Sequence, residues 1–169
     1  MYATTEPSEA LLLGGYTAAL SEGRVVQFGP TSEVYRTPLN QESAKVFSDP
    51  PINTTEVGKS DGAFTRDKVF SFPVPDEAAQ LADGKYTLGI RPHHLTLAPL
   101  SEQSVAVDAE VVLTEISGSE STVHALVEGE PWISLSQGVH SLTKGQRVTL
   151  HFDTRYCLLF DQSDRLVWS

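Results

Sequence analysis

The sequence predicts a mainly β protein, in which a barrel region like the oligosaccharide/oligonucleotide-binding (OB) fold follows a small α/β segment. Three observations support this prediction. After Pro51, short β-rich runs recur at spacings near the roughly 8–12 residues that are typical of small barrels and sandwiches. Glycines suited to turns with positive φ separate the runs, and polar and apolar residues alternate within them. The runs are FTRDKVFSFPV, YTLGIRPHHLTLA, VAVDAEVVLTEIS, STVHALVEG, PWISLS, QRVTLHFD, YCLLFD and RLVW, and the glycines are Gly62, Gly84, Gly118, Gly129, Gly138 and Gly145.

The N-terminal residues predict short elements of both kinds. MYATT (1–5) and YTAALS (16–21) are typical of strands. Between them, Pro7 begins a helical segment that Gly14 and Gly15 end, because proline suits the first turn of a helix and glycine its C-terminus.

A hairpin and two short helices are predicted next. SEGRVVQFG indicates a hairpin that turns at Glu22 and Gly23. The first helix is expected to have Thr31 as its N-cap and to end at Pro38, and the second to have Asn40 as its N-cap.

Pro50 and Pro51 predict the boundary between two regions, because proline lacks the N–H that a continuing helix needs. We therefore expect a first region over 1–50 and a second, β-rich region over 51–169. Within the second region DEAAQLADG is the one helical-looking insert, and RVTLHFD has the clearest alternation of apolar and polar residues.

Composition and charge exclude several classes of protein. The chain has 169 residues and a formal net charge of -10, with 12 scattered Lys and Arg residues. Such an acidic chain repels phosphate backbones and anionic lipids, which argues against nucleic acid or a membrane surface as a partner. Cys157 is the only cysteine, so an intrachain disulfide or a multi-cysteine metal site is excluded. We expect a cytoplasmic protein, and the strand-like start at Met1 suggests a piece of a longer one.

The most suggestive stretch for chemistry is LGIRPHHLTLAP, where His93 and His94 are adjacent. Neighbours on a strand point to opposite faces, so both could ligate one metal ion only across a bulge. Additional ligands would have to come from His124, His140 or His151, and their spacing does not bring them together. We therefore favour a reading in which each histidine is satisfied by hydrogen bonds, and we predict no metal site.

No catalytic motif is complete in this sequence. Gly84-Lys85 lacks both the glycine and the hydroxyl residue that a phosphate-binding loop requires. SLTK (141–144) has the spacing of a serine acyl-transfer motif, but Gly145 makes it a turn and its partner motifs are missing. Cys157 within YCLLF indicates a buried packing residue. We predict no catalytic residue, cofactor site or enzyme activity in this chain alone.

Five segments in order resemble the C-terminal region of the ATP-binding subunit of ABC importers of the sugar, polyol and glycerol-phosphate type. FSDPPIN resembles the family's FIGSPPMN hinge, and GIRPHHL resembles its GIRPEHL strand motif. The other three are YATTEPSEALLLGGYTAALSEGRVVQFGPTSEVYRTP, VVLTEISGSESTVHALVEG and GQRVTLHFDTRYCLLFD. The first keeps the family's Glu9, Ala10, Gly23, Arg24, Gln27, Gly29, Glu33, Tyr35 and Pro38.

The resemblance implies that 1–50 is the C-terminal remnant of an ABC nucleotide-binding domain and that 51–169 is a regulatory domain of the TOBE/OB type. The motifs that bind ATP and Mg²⁺ would lie upstream in the full-length parent. Thr5 occupies the position of the family's switch histidine, and a hydroxyl cannot replace an imidazole there. Either the parent ATPase is weakened at this site, or a partner subunit supplies the histidine.

The resemblance also implies partners. These are a second ATP-binding subunit, as a homodimer or related pair, the importer's membrane permease, and an inhibitory regulatory protein, with the assembled subunit peripheral on the inner face of the cell membrane. His93 replaces the glutamate of the family motif, which puts any contact through that carboxylate in doubt. The candidate interface and regulatory residues are Arg91, Pro92, His93, His94, Gly118, Glu120, Asp153 and Asp161, whereas Phe152 and Phe160 are expected to close the barrel.

Two alternatives remain open at this stage. One is an OB-type barrel that senses a small ligand, either an anion or a sugar, although Arg91 is the one basic residue that supports an anion site. The other is an oligonucleotide-binding barrel, which the acidic charge and the lack of interleaved basic and aromatic residues oppose.

Overall fold

The computed structural model describes residues 1–169 and is mainly β, as predicted. The helices are α1 (Pro7–Leu13), α2 (Thr31–Arg36) and α3 (Gln41–Val46). The strands are β1 (Tyr16–Ser21), β2 (Arg24–Pro30), β3 (Asn53–Ser60), β4 (Ala63–Arg66), β5 (Phe70–Pro73), β6 (Gly84–Ile90), β7 (Leu95–Thr96), β8 (Ser104–Ser117), β9 (Glu120–Val127), β10 (Glu130–Gln137), β11 (Arg147–Asp153), β12 (Leu158–Phe160) and β13 (Leu166–Trp168). Short 3-10 turns occur at Asp76–Ala78, Pro92–His94 and Thr154–Tyr156. None of the helices combines the length and the apolar character needed to cross a bilayer.

The N-terminal hairpin forms where it is predicted. Strands β1 and β2 pair antiparallel as a separate two-stranded sheet. Their connection has positive φ at both Glu22 (48°) and Gly23 (75°), the backbone geometry whose twist matches that of a two-residue hairpin. The strand expected over 1–5 does not form. This segment pairs with neither strand of the hairpin and lies outside every sheet.

The helix ends follow the sequence at α1 and α3 but not at α2. Asn40 accepts a hydrogen bond from the backbone N–H of Ser43 at 2.9 Å, which confirms it as the N-cap of α3. The N-cap of α2 is Pro30 rather than Thr31. Thr31 is buried against β1, where its hydroxyl donates to the Gly15 carbonyl at 3.2 Å, so it is not available to cap the helix.

Two larger sheets form the rest of the chain. One has the strand order β10-β9-β8-β11-β7 and the other β13-β12-β6-β3-β4-β5. The Ser134 hydroxyl on β10 bonds the Leu95 carbonyl beside β7, so the five-stranded sheet curls into a nearly closed barrel. The predicted helix at DEAAQLADG is only a 3-10 turn, and Ala78 in that turn is buried in the core.

The main core lies between the two sheets and contains 17 buried residues. Leu150 and Phe152 are fully buried on one face of β11, which confirms the alternation seen in the sequence. Phe152 also packs edge to face with Phe70, with ring centroids 5.2 Å apart. Burying a side chain of this size contributes roughly 1.5–3 kcal/mol, so these contacts are the main source of barrel stability.

Asn53 joins the two sheets through its side-chain amide. It is the first residue of β3, and its Nδ2 donates to the Ile133 carbonyl on β10 at 2.8 Å and to the Ile90 carbonyl at 3.2 Å. Its Oδ1 accepts from the Ile133 N–H at 2.6 Å. The amide thus satisfies both backbone groups of Ile133 on the side of β10 that faces away from β9.

Asp153 ends β11 and is fully buried, yet it remains charged. Its carboxylate accepts bonds from Arg155 Nε (3.0 Å) and Nη2 (2.6 Å), from the Arg155 backbone N–H (3.0 Å) and from the Ser101 hydroxyl (2.6 Å). These bonds, led by the one from the Arg155 side chain, lower the pKa of Asp153 to about 2. The carboxylate thereby holds the turn at Thr154–Tyr156 and the loop before β8.

We predict that Asn53→Ala lowers the free energy of unfolding by about 2–4 kcal/mol, because it leaves the two backbone groups of Ile133 without partners. Urea unfolding at neutral pH measures this cost. Asn40→Ala serves as the control and is expected to cost only about 1 kcal/mol, the value of a lost helix cap. Equal losses in the two variants would contradict the assigned role of Asn53.

We predict an acid-sensitive contribution to stability from Asp153. Its pKa in the folded protein (about 2) lies below the ordinary value of 3.8, so its contribution is complete above pH 3.8 and is lost as the pH falls toward 2. The loss amounts to about 2 kcal/mol. Urea unfolding of Asp153→Asn at several pH values should lack this part of the acid dependence. Asp108→Asn, an exposed substitution, should retain it, and an unchanged acid dependence in Asp153→Asn would refute the assignment.

Candidate functional site

Arg91 lies where the N-terminal region meets the barrel. It follows β6, is 3% exposed, and extends its guanidinium toward α2 and α3. Nη1 donates to the Phe47 carbonyl at 2.8 Å and Nη2 to the Tyr35 carbonyl at 2.7 Å. The guanidinium carbon also lies 4.1 Å from the centroid of the Tyr35 ring. A single side chain therefore binds the ends of both short helices to the barrel.

The electrostatics of this contact are unusual because no carboxylate faces the guanidinium. Burial lowers the pKa of Arg91, but two carbonyl acceptors and an aromatic face remain as partners for the charge. Arginine is suited to such a place because its planar group bonds in two directions while it stacks on a ring. Lysine would offer only a compact ammonium group, so this contact requires arginine chemistry.

His93 and His94 lie in the 3-10 turn Pro92–His94, not on a strand. The expectation that they point to opposite faces is therefore wrong, and their ring centroids are only 4.2 Å apart. His93 Nε2 lies 3.1 Å from the Tyr35 hydroxyl, and His94 stacks on Tyr156 with centroids 4.5 Å apart. The two rings thus extend the Arg91 contact from α2 to the turn after β11.

Both histidines are neutral at pH 7. Partial burial of the two rings is the main cause that lowers the pKa of each, and the charge of Arg91 adds to it. For His94 the pKa falls to about 4. The pair therefore contributes packing and a hydrogen bond to Tyr35 rather than charge.

The remaining histidines lie apart from this pair. His124 Nε2 lies 3.4 Å from Glu115 Oε2, and His140 Nε2 lies 2.8 Å from the Gln137 carbonyl. His151 lies on β11. Nowhere do three His, Cys, Asp or Glu side chains come close enough together to hold a metal ion.

Three of the predicted contact residues are not available at the surface. Arg91, Pro92 and Asp153 are buried within this chain, so they present no free surface to a partner in this structure, and their assignment as docking residues stays a prediction. The reason is that Arg91 and Asp153 bind backbone and side-chain groups of the chain itself. Phe152 and Phe160 are fully buried and close the core, as expected.

The other predicted contact residues are accessible to different degrees. His93 is exposed at the rim of the Arg91 contact, and Gly118 and Glu120 are exposed in the β8–β9 turn. Asp161 is mostly engaged in a local turn, where its carboxylate binds the Arg165 side chain at 2.7 and 3.0 Å. Their role as interface residues stays a prediction, as does the role of Thr5, which is exposed in the N-terminal segment.

Sequence reasoning missed two exposed apolar surfaces. The first, which we call the ribbon surface, consists of Val112, Leu113 and Ile116, each 40–49% exposed. These residues lie on β8 beyond Glu110, its last residue paired with β11, where β8 becomes an edge strand beside β9 and β10. A signal existed, because the run VVLTEIS breaks the alternation of the residues before it.

The second surface, which we call the hairpin surface, lies on β1 and β2. Tyr16 and Phe28 stack with ring centroids 5.8 Å apart, although both are more than 65% exposed. Leu20 and Val25 are each 60% exposed on the same hairpin. Contiguous apolar surface of this kind is typical of sites where another protein part packs.

Cys157 is a buried packing residue, as predicted. It is 1% exposed within the main core, and burial raises the pKa of its thiol well above the ordinary value. A thiol in this environment is not a nucleophile at neutral pH.

Comparison with known proteins adds three relatives and a domain family. Residues 88–160 match the TOBE domain family. The chain is 29% identical over 167 residues to the xylose/arabinose import ATP-binding protein XacK of Haloferax volcanii, and 25% identical over 173 residues to XacJ of the same organism. It is 28% identical over 165 residues to the sn-glycerol-3-phosphate import ATP-binding protein UgpC of Chromohalobacter salexigens.

These matches cover 95% of this chain but only 43–45% of the length of the three relatives. The chain thus spans less than half of the curated relatives that it matches. Residues 88–160 are thus similar to TOBE domains, and the chain as a whole is similar to the C-terminal part of ATP-binding subunits of sugar and glycerol-phosphate ABC importers.

Proposed function

We propose that this chain is the regulatory and dimerisation region of the ATP-binding subunit of an ABC importer for carbohydrate, polyol or glycerol-type substrates. It acts through protein contacts, while ATP and Mg²⁺ bind in the full-length parent subunit, outside this chain. In the assembled importer the subunit is cytoplasmic, peripheral on the inner face of the membrane, and in contact with the permease. A regulatory protein is a further partner in this proposal.

The observation that carries this proposal is the contact of Arg91 with the carbonyls of Tyr35 and Phe47. Residues 1–50 correspond, in this proposal, to the end of the nucleotide-binding domain. A shift of α2 or α3 would break two charge-assisted hydrogen bonds unless the barrel moved with them. The contact therefore makes the barrel follow the movements of the ATPase region, and allows a partner on the barrel to restrain that region.

The two exposed apolar surfaces suit two different partners. The hairpin surface lies within residues 1–50, so we assign it to the rest of the nucleotide-binding domain. The ribbon surface lies on the barrel beside the exposed Gly118 and Glu120 turn, so we assign it to a second copy of the subunit. A dimer about a two-fold axis needs a self-complementary contact, and the edge of β8 with its exposed apolar side chains can meet the same edge of a second copy.

Sensing of a small ligand is the second candidate function. A cleft of about 950 Å³ between β5, the first residues of β8 and Trp168 favours it, and this function is compatible with a regulatory region.

We predict that Arg91→Ala loosens residues 31–47 without unfolding the barrel. The variant loses two hydrogen bonds to a charged group, each worth roughly 1.5–3 kcal/mol. Amide hydrogen exchange followed by mass spectrometry should therefore become at least about 100-fold faster in 31–47, while exchange in β8 and β9 stays unchanged.

Two variants control this experiment. Arg91→Lys keeps the charge but not the planar two-way contact, so it should show most of the effect of Arg91→Ala. Arg36→Ala removes an exposed cation at the end of α2 and should leave exchange unchanged. Unchanged exchange of 31–47 in Arg91→Ala would remove the observation on which the proposed coupling depends.

We predict that the chain self-associates through the ribbon surface. Light scattering over a concentration series should show a mass that approaches twice that of the monomer. The double variant Leu113→Ser and Ile116→Ser should shift association to at least ten-fold higher concentration, because it removes apolar area from the contact. Phe28→Ser on the hairpin surface is the matched control and should dimerise like the parent chain. A strictly monomeric parent chain, or loss of association only in Phe28→Ser, would refute the barrel-mediated dimer.

A further inference from the structure

A large cleft opens on the barrel beside β5 and the start of β8. Its volume is about 950 Å³, and it lies between β5, the first residues of β8 and the C-terminal residues Trp168 and Ser169. This volume is within the range of about 300–1,000 Å³ that is typical of small-molecule sites. No residue of the Arg91 contact lines it, so it is separate from the site described above.

The apolar wall of the cleft is aromatic and firmly supported. Phe70 and Phe72 line it and are buried in the main core, with their rings stacked 6.2 Å apart. Trp168 is half-buried and packs against the same core, while its indole N–H has no hydrogen-bond partner within the chain. A half-exposed tryptophan on a rigid support presents a flat apolar face to a ligand.

The polar wall contains both donors and acceptors. Arg155 is oriented by Asp153, which binds its Nε and Nη2 and leaves Nη1 unengaged. The carboxylate of Glu102 and the side-chain amide of Gln103 also line the cleft, and neither has a hydrogen-bond partner within the chain. The same holds for the carboxylates of Asp76 and Glu77 on the opposite rim.

The charges of this wall select the class of ligand. Asp76, Glu77 and Glu102 make the cleft acidic, because the charge of Arg155 is already balanced by Asp153. A phosphate or another anion is therefore disfavoured. A cation would leave the free Nη1 of Arg155 and the side-chain amide N–H groups of Gln103 without an acceptor. A neutral hydroxyl both donates and accepts, so it matches carboxylate, amide and guanidinium together.

We propose that this cleft binds a neutral sugar or polyol whose apolar face stacks on Trp168 and whose hydroxyls bond Arg155, Glu102 and Gln103. The proposal rests on the proposed function only for the meaning of the ligand as a regulatory signal to the importer. Binding itself follows from the shape and chemistry of the cleft.

The two tryptophans allow a direct test. Trp132 is fully buried in the core, whereas Trp168 lies in the cleft. In a proton–nitrogen correlation spectrum of the ¹⁵N-labelled chain, titration with D-xylose and with L-arabinose should shift the Trp168 indole N–H saturably and leave that of Trp132 in place. Glycerol 3-phosphate, as the anionic probe, should cause no saturable shift of Trp168.

Surface variants complete the experiment without disturbing the core. Gln103→Ala and Glu102→Ala are exposed substitutions, and each should weaken sugar binding about ten-fold through loss of one hydrogen bond to a hydroxyl. Glu110→Ala, an exposed substitution farther along β8, is the control and should bind as the parent chain does.

Three results would overturn the proposal: no saturable shift with either sugar, a shift only with glycerol 3-phosphate, or equal shifts of both tryptophans. Because the titration needs neither transport nor dimerisation, its failure leaves the proposed function intact. The exchange and light-scattering experiments can likewise fail without affecting the cleft.

Discussion

The structure depends on the way Arg91 satisfies its charge. A buried guanidinium is costly unless its donors are bonded, and here the partners are two main-chain carbonyls at the ends of separate helices. Carbonyls at helix ends also lack intrahelical donors. The contact therefore satisfies both the buried guanidinium and the open carbonyls of Tyr35 and Phe47. It fixes the orientation of α2 and α3 on the barrel together with the hydrogen bonds of Gln41 to Asp164 and the packing of Ala44 against Phe160. The neutral imidazoles of His93 and His94 continue this contact toward β11.

The barrel applies the same principle at two further places. The Asn53 amide bonds the backbone N–H and carbonyl of Ile133, as a neighbouring strand otherwise would. The Asp153 carboxylate bonds the turn after β11 and Ser101 in the loop before β8. In each case one polar side chain completes backbone bonding that the sheets leave open, which is required because buried backbone groups are almost always paired. The strands therefore need not close the barrel completely, because these side chains pair the backbone groups that would otherwise be left without partners. This rigidity supports Trp168 and Arg155 on the walls of the cleft.

Local signals in the sequence predicted the parts whose reason is local. The turn at Glu22 and Gly23, the cap at Asn40 and the alternation of β11 each depend on neighbouring residues, and the structure confirms them. The cap at Thr31 and the helix at DEAAQLADG were wrong, because tertiary contacts outweigh weak local preference in these segments. The strand at 1–5 was also wrong, since this exposed segment has no partner strand. Thr31 bonds β1 instead of capping its helix, and Ala78 enters the core from a short turn.

By itself, the sequence determined the mainly β class and the short helices before the barrel. It also determined the resemblance to the C-terminal part of importer ATP-binding subunits. Each of these depends on the spacing and order of residues along the chain. The tertiary structure alone decided which of the suggestive residues are accessible. Arg91 and Asp153 have the composition of contact residues, yet they are buried by groups 44–56 and 2–52 positions away along the chain. The cleft at Trp168 and the ribbon surface were equally invisible, since each is built from segments that only folding brings together. Long-range pairing of polar groups leaves no periodic signal, and this is why the fold was predictable and the sites were not.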